Sequence, residues 1–346
     1  MKKERLVYLD FIRAIAVIAI LLTHYNAIYV YLWDEIVLKK VVLTWRVFNL
    51  YIGDFGVSLF LIVSGAALMW VYDNRLELKT FYSKRFISIY PMFWIAYFTS
   101  FLYSFFLNRG NNQSIPKQNI IFSILGFDGY LGSIIPTFYQ VGEWFLGFII
   151  IVYLIFPVLR LGVKRYPKLT VAVTMIVYLI FNLYYPFNLT KSTCLFIRLP
   201  EILFGMYFVK YIKSVNWKAA LISGMVLILN TILAPQFDKD FQTSYIGICS
   251  FILLVYLASF FCRSILVTKI SKIISKYSYA VFLVHHYIIL MITSKFDLYQ
   301  ITILESYILF VLCCCVICFF SVILYKTNEV LLNGLRSIKK QGDQEH

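Results

Sequence analysis

The chain has 346 residues, 61% of them hydrophobic and only 14% charged, with a net charge of +15. Soluble domains carry roughly half apolar and about a quarter charged residues, so a soluble fold has no room for this composition. The short alternating strands of a membrane β-barrel are absent, and the basic residues are spread between apolar runs, so the charge gives no support to nucleic-acid binding.

Apolar runs long enough to cross a bilayer recur from end to end, separated by short segments rich in Lys and Arg. In chain order they predict ten spans, at 8–30, 50–72, 86–107, 143–160, 169–185, 193–212, 217–235, 244–262, 277–294 and 303–326. The fold class expected is all-α, a polytopic membrane bundle of about ten helices. The first run carries Asp10, Arg13 and His24 and lacks a small-residue cleavage site, so it reads as a mature helix rather than a signal peptide.

Alternate connections differ in charge. One side collects 22 Lys and Arg and the other eight, with Arg13 and Arg198 set aside as intramembrane or boundary residues. Positive loops stay in the cytoplasm, so both termini are expected there, in a multi-pass protein of the cell membrane whose basic face meets anionic lipid. The one long connection, 108–142, includes Asn111, Asn112, Gly126, Asp128, Gly129, Gly132 and Pro136, and its apolar centre IIFSILGF is expected to dip into or lie on the bilayer. Six of the seven cysteines fall in or at the ends of spans without zinc-ligand or disulfide spacing, so no metal is expected and the Cys313–Cys318 cluster reads as helix packing.

Ionisable groups inside lipid are costly and commonly face the bundle interior. At about 100° per residue, Arg13 and His24 share one helix face with Asp10, although Arg13 and His24 are about 16 Å apart along the axis. Asp10 is placed to pair with Arg13, and a neutral imidazole at His24 is suited to accept a proton from a hydroxyl. The plainer readings are a structural ion pair and an interhelical hydrogen bond. Asp54, Ser58 and Ser64 on the second span, Glu143 and Trp144 opening the fourth, and Arg198 and Glu201 on the sixth are further candidates for the same cavity, with Arg198 and Glu201 also able to pair with each other. Of His285 and His286, which point about 100° apart, His285 is preferred as the one facing the cavity.

The opening LVYLDFIRAIAVIAILLTHY resembles acyltransferase family 3, integral membrane acyltransferases that O-acetylate glycans, in its Arg13 and His24 separated by ten residues. Blocks in the family's order follow at 58–65, 84–91, 143–157, 198–207 and 278–286. The resemblance implies a single transmembrane acyltransferase domain over 1–330 with a short cytoplasmic tail, 331–346. It implies transfer of an acyl group, in the first instance acetyl, from acyl-CoA as donor substrate to a hydroxyl of a cell-envelope glycan or lipid-linked saccharide. No cofactor is implied, and a homo-oligomer is compatible with it. His24 is then the base, assisted by Arg13 and Asp10, with Lys84 and Arg85 on the donor. Ser88 stands where the family's second arginine of an Arg-x-x-Arg pair falls. The rival reading is a transporter or flippase using Asp10, Arg13 and His24 as an ion relay.

Overall fold

The computed structural model describes residues 4–32, 34–107, 115–138 and 141–342. Eight helical segments among these are long and apolar enough to cross a membrane. They are α1 (Val7–Val30), α2 (Ile52–Tyr72), α3 (Leu78–Leu107), α4 (Glu143–Arg165), α6 (Leu195–Tyr207, continued by a π-helical turn at Phe208–Ile212), α8 (Lys239–Phe261), α9 (Ile265–Thr293) and α10 (Ile303–Gly342). The shorter apolar helices α5 (Pro167–Leu183) and α7 (Trp217–Leu233) occupy the fifth and seventh expected spans. The protein is a multi-pass, all-α membrane protein. Arg109, Asn111 and Asn112 lie outside the described residues.

Helix starts carry local signals. Pro167 sits in the first turn of α5, where its missing N–H costs nothing. The side chains of Asn216, Asp238 and Ser264 cap α7, α8 and α9 by accepting backbone N–H groups. The expected boundaries of three spans fall short. Helix α3 begins at Leu78 rather than 86 and α9 at Ile265 rather than 277, because Lys79, Lys84, Lys269 and Lys272 interrupt the apolar run without interrupting the helix. Helix α10 runs on through the residues expected to be a tail, as far as Gly342.

Helix α2 is the axis of the bundle, because its small residues admit other helices. A Cβ on Gly56 would lie 3.3 Å from the Ala16 carbonyl oxygen of α1, and one on Gly247 of α8 would lie 1.8 Å from the Ser58 hydroxyl oxygen. In lipid, where apolar tails compete equally with apolar side chains, such close approach supplies the dispersion that holds helices together. The outer faces of α3, α5, α7 and α10 expose residues such as Phe98, Phe106, Ile176, Ile180, Ile228 and Val311, and form the lipid-facing belt.

The connection between α3 and α4 packs as two short helices, Ile120–Leu125 and Asp128–Leu131, the second lying against α4. Between α1 and α2 a two-stranded hairpin forms, Arg46–Val47 (β1) with Leu50–Tyr51 (β2), Arg46 opposite Tyr51. Asn26, fully buried on α1, clamps the entry to this hairpin: its Nδ2 donates to the Val42 carbonyl at 2.9 Å and its Oδ1 accepts from the Val42 N–H at 3.0 Å.

Candidate active site

One cavity of about 400 Å³ lies between α1, α2, α3, α4 and α9. Arg13, Arg85 and Ser88 line one end, and His24, Glu143 and His285 the other. Trp144, Phe145, Tyr153, Tyr279 and Phe282 make its walls aromatic.

At the arginine end, Arg13 donates from Nη1 to Ser275 Oγ at 3.0 Å, and Ser275 donates in turn to Asp10 Oδ1 at 2.6 Å. The expected direct pair between Asp10 and Arg13 is therefore corrected. Arg5, in the segment before α1, holds both Asp10 oxygens at 2.5 and 2.7 Å, and Asp10 faces Ser275 instead of the cavity. Arg85 is surrounded by the rings of Tyr72, Phe81 and Tyr153 at 5.4–5.9 Å, which steady its guanidinium by cation–π attraction. Its Nε is buried without an acceptor among the described residues. A buried, unpaired cationic donor is costly, and an anion brought into the cavity relieves it. Lys84 is a correction: one residue on, its side chain projects to the exposed outside of α3 and is no part of the lining.

At the other end three histidines meet. The His24 and His285 rings lie edge to face with centroids 4.7 Å apart, and the His24 and His286 rings are 5.0 Å apart. His285 is fully buried, and its Nδ1 lies 2.8 Å from the Phe282 carbonyl oxygen. A carbonyl only accepts, so Nδ1 carries the proton and Nε2, which has no partner among the described residues, keeps its lone pair. His286 Nδ1 lies in close polar contact with Glu143 Oε1. Of the two neighbouring histidines it is His285, the one expected to face the cavity, that lines it, while His286 contacts both Glu143 and the His24 ring. The ligand atoms of His24, Glu143 and His286 all lie within 4.8 Å of one another, a spacing able to hold a shared proton or a metal ion, although the sequence suggested no metal.

Glu143 is held in place by the connection before it. Its φ of +40° and that of Gly142, +104°, put two successive residues in the left-handed region, which a glutamate rarely adopts. A Cβ on Gly129 would lie 2.4 Å from the Glu143 carbonyl carbon, so the short helix Asp128–Leu131 presses its backbone directly on this turn. Asp128 anchors that helix through Ser123 Oγ at 3.0 Å and Tyr97 Oη at 3.2 Å.

Asp54, Arg198 and Glu201 do not join this cavity, which corrects their expected place. Arg198, fully buried, pairs with Glu201 Oε1 at 3.1 Å and Asp54 Oδ1 at 3.6 Å, and donates from Nε to the Ser192 carbonyl at 2.8 Å. Lys239 completes the group, 2.9 Å from Asp54. Ser58 also turns to this cluster, donating to Glu201 at 3.3 Å, whereas Ser64 lines the histidine cavity. Ser275 and Tyr153 were missed in the sequence, because an isolated serine or tyrosine in a span has no distinguishing pattern.

Residues 6–326 match the family model for the acyltransferase domain of acyltransferase family 3. The chain belongs to that family. No curated protein and no solved structure matches it. The acyltransferase therefore brings together, in one cavity, the arginine and histidine that carry the resemblance of its first helix.

Proposed function

We propose that this membrane acyltransferase moves an acyl group, acetyl above all, from acyl-CoA to a hydroxyl of a cell-envelope glycan or lipid-linked saccharide, with His24 as general base. The observation that carries the reading is that Arg13 and Arg85 share one cavity with His24 and His285. The two ends are separated by about 16 Å of helix, a distance suited to a donor whose polyanionic head stays at the arginines while its thioester reaches the histidines.

The polar end of the donor meets Arg13 and Arg85, and the aromatic walls accept its thin acyl-bearing arm. At the histidines a hydroxyl gives its proton to His24 as its oxygen forms a bond to the thioester carbonyl carbon. The carbon–sulfur bond then breaks, and CoA leaves as the thiol after taking up a proton. His285 Nε2 is placed to accept a hydrogen bond, and Glu143 stabilises positive charge that develops on the histidine cluster. The bias of Lys and Arg supports this orientation, with the arginine end and both termini on the cytoplasmic side, where acyl-CoA is made, and the histidine end outward, toward an exported glycan.

The test is acetyl-CoA turnover by the purified protein in nanodiscs, with free CoA and labelled acetyl on envelope glycan both followed. Wild-type transfer that disappears in His24→Ala, with folding retained, supports the reading. Full transfer by that variant overturns His24 as the base. Absence of both CoA binding and turnover in folded wild-type protein points instead to the transporter reading.

A further inference from the structure

A second cavity, also of about 400 Å³, opens at the His24 end of α1, beyond the histidines, between the hairpin and the start of α8. Its lining is unlike that of a lipid crevice. Trp45, Tyr51 and Phe237 supply aromatic faces, Arg46 and Lys239 supply cations, and no carboxylate is part of it. Lys239 is already engaged by Asp54, whereas the Arg46 guanidinium lies exposed over the Trp45 ring at 4.6 Å with no ion pair among the described residues.

Two further observations mark it as a built site. Gln242, only 8% exposed, has its Nε2 fixed by the carbonyls of Pro235 and Phe237, both at 3.0 Å, while its Oε1 has no donor among the described residues. A buried acceptor left unpaired at a cavity wall is stabilised by a ligand that brings a hydroxyl or N–H. The hairpin turn itself is held in an unfavourable form. Phe48 and Asn49 both have positive φ, +52° and +58°, as a two-residue turn of this hand requires. Asparagine tolerates that region, but phenylalanine does not, and the buried Asn230 holds it there by donating from Nδ2 to the Phe48 carbonyl at 2.8 Å. Strain that the surroundings enforce is typical of segments kept for recognition.

The cavity also adjoins the reactive end of the first one. Gly53 lies against both Tyr51 and Thr23: a Cβ there would be 2.7 Å from the Tyr51 ring and 2.9 Å from Thr23 Cγ2. Thr23 immediately precedes His24.

We propose that this cavity binds a saccharide carrying a carboxylate or phosphate group, and that the saccharide is the acyl acceptor. The second half of the statement rests on the acyltransferase reading above. Trp45 and Tyr51 stack on sugar faces, Gln242 Oε1 accepts from a sugar hydroxyl, and Arg46 selects the anion.

The experiment measures saccharide binding to the full chain in nanodiscs without any acyl donor. The probes are a panel of uronic-acid, sialic-acid and phosphosugar oligosaccharides, each beside a neutral oligosaccharide of equal length. Wild-type protein is expected to bind at least one acidic member over its neutral counterpart by tenfold or more. Arg46→Gln should remove that preference, Arg46→Lys should recover part of it, and Gln242→Ala should weaken both classes. Trp45→Ala should weaken binding of both classes, and Trp45→Phe, which keeps an aromatic face, should retain it, so that a folding defect is told apart from a lost stacking face. CoA release by a wild-type protein that binds no acidic saccharide overturns the proposal and leaves the acyltransferase reading intact. Acidic-saccharide binding by a protein that neither binds nor cleaves acyl-CoA keeps the site and overturns its role as acceptor site. Equal binding of acidic and neutral probes in wild type and Arg46→Gln overturns the assignment of the anion.

Discussion

Gly65 and Gly205 stand opposite each other where α2 crosses α6: a Cβ on Gly65 would lie 2.0 Å from the Ile202 carbonyl oxygen, and one on Gly205 would lie 2.0 Å from that of Ile62. The obstruction is backbone on both sides, so neither helix yields by turning a side chain. Gly65→Ala and Gly205→Ala are each expected to cost on the order of 1–3 kcal/mol or more and to lower the yield of monodisperse protein in detergent. Ser64→Ala, one position away and facing the cavity, should purify normally. Size-exclusion profiles and thermal unfolding of the three variants check this.

His24→Ala is expected to reduce acyl transfer by about 100- to 10,000-fold, the range typical of a lost general base. Glu143→Gln and His286→Asn should each lower turnover less, and the double variant should be little worse than either single one, because the two side chains are in direct contact and act as one unit. A double-mutant cycle on turnover measures the coupling. Additive losses would show that they act separately.

The same three-residue cluster makes a prediction about metals. With the ligand atoms of His24, Glu143 and His286 inside 4.8 Å, added Zn²⁺ is expected to inhibit by occupying the base, and a chelator to restore turnover. His286→Asn should blunt this inhibition. Zinc titrations of the wild type and the variant decide the matter.

Donor affinity should separate Arg85 from its neighbour Lys84. Arg85→Ala removes a cavity cation with an unpaired buried Nε and is expected to raise the KM for acyl-CoA several-fold or more, while Lys84→Ala, whose side chain is exposed on the outside of α3, should change it little. Ser88→Arg adds a third guanidinium to the lining, beside Arg13 and Arg85, and should lower that KM. Steady-state kinetics with acyl-CoA varied are the check.

Asp238 caps α8, accepting from the N–H groups of Asp240 and Phe241 at 2.9 and 3.2 Å, and pairs with Lys191 at 2.9 Å. Burial pushes its carboxyl upward, but the Lys191 hydrogen bond and the two backbone N–H groups outweigh it and hold the carboxyl below the ordinary carboxylate range. A depressed folded value means that the stabilisation is present above about pH 4, the unfolded value, and is lost as pH falls through the folded one. Asp238→Ala should therefore cost about 1 kcal/mol at neutral pH, and the difference in Tm from wild type should shrink on acidification below about pH 4.

The positions of all ten helices were legible because lipid sets the length of an apolar run. Their true ends were less so. Lys79, Lys84, Lys269 and Lys272 end a hydropathy signal without ending a helix, since α3 and α9 continue beyond the apolar layer. Within α1, a spacing of eleven residues was enough to put Arg13 and His24 on one face, and both line one cavity. What periodicity within one helix does not contain is the partner on another. Asp10 is held by Arg5, which lies outside the helix and beyond any angular argument, and its link to Arg13 runs through Ser275 on α9. Asp54, Arg198 and Glu201 were grouped with the histidines as costly charges in lipid, but they neutralise one another elsewhere, a choice set by how α2, α6 and α8 pack.

Helix α10 comprises 40 residues, Ile303–Gly342, and a helix of that size is about 60 Å long, twice a hydrocarbon layer of about 30 Å. It thus acts as a stiff mast as well as a span. A protein fused directly after Gly342 would be held at a defined distance and rotation from the bilayer, rather than swinging on a tether.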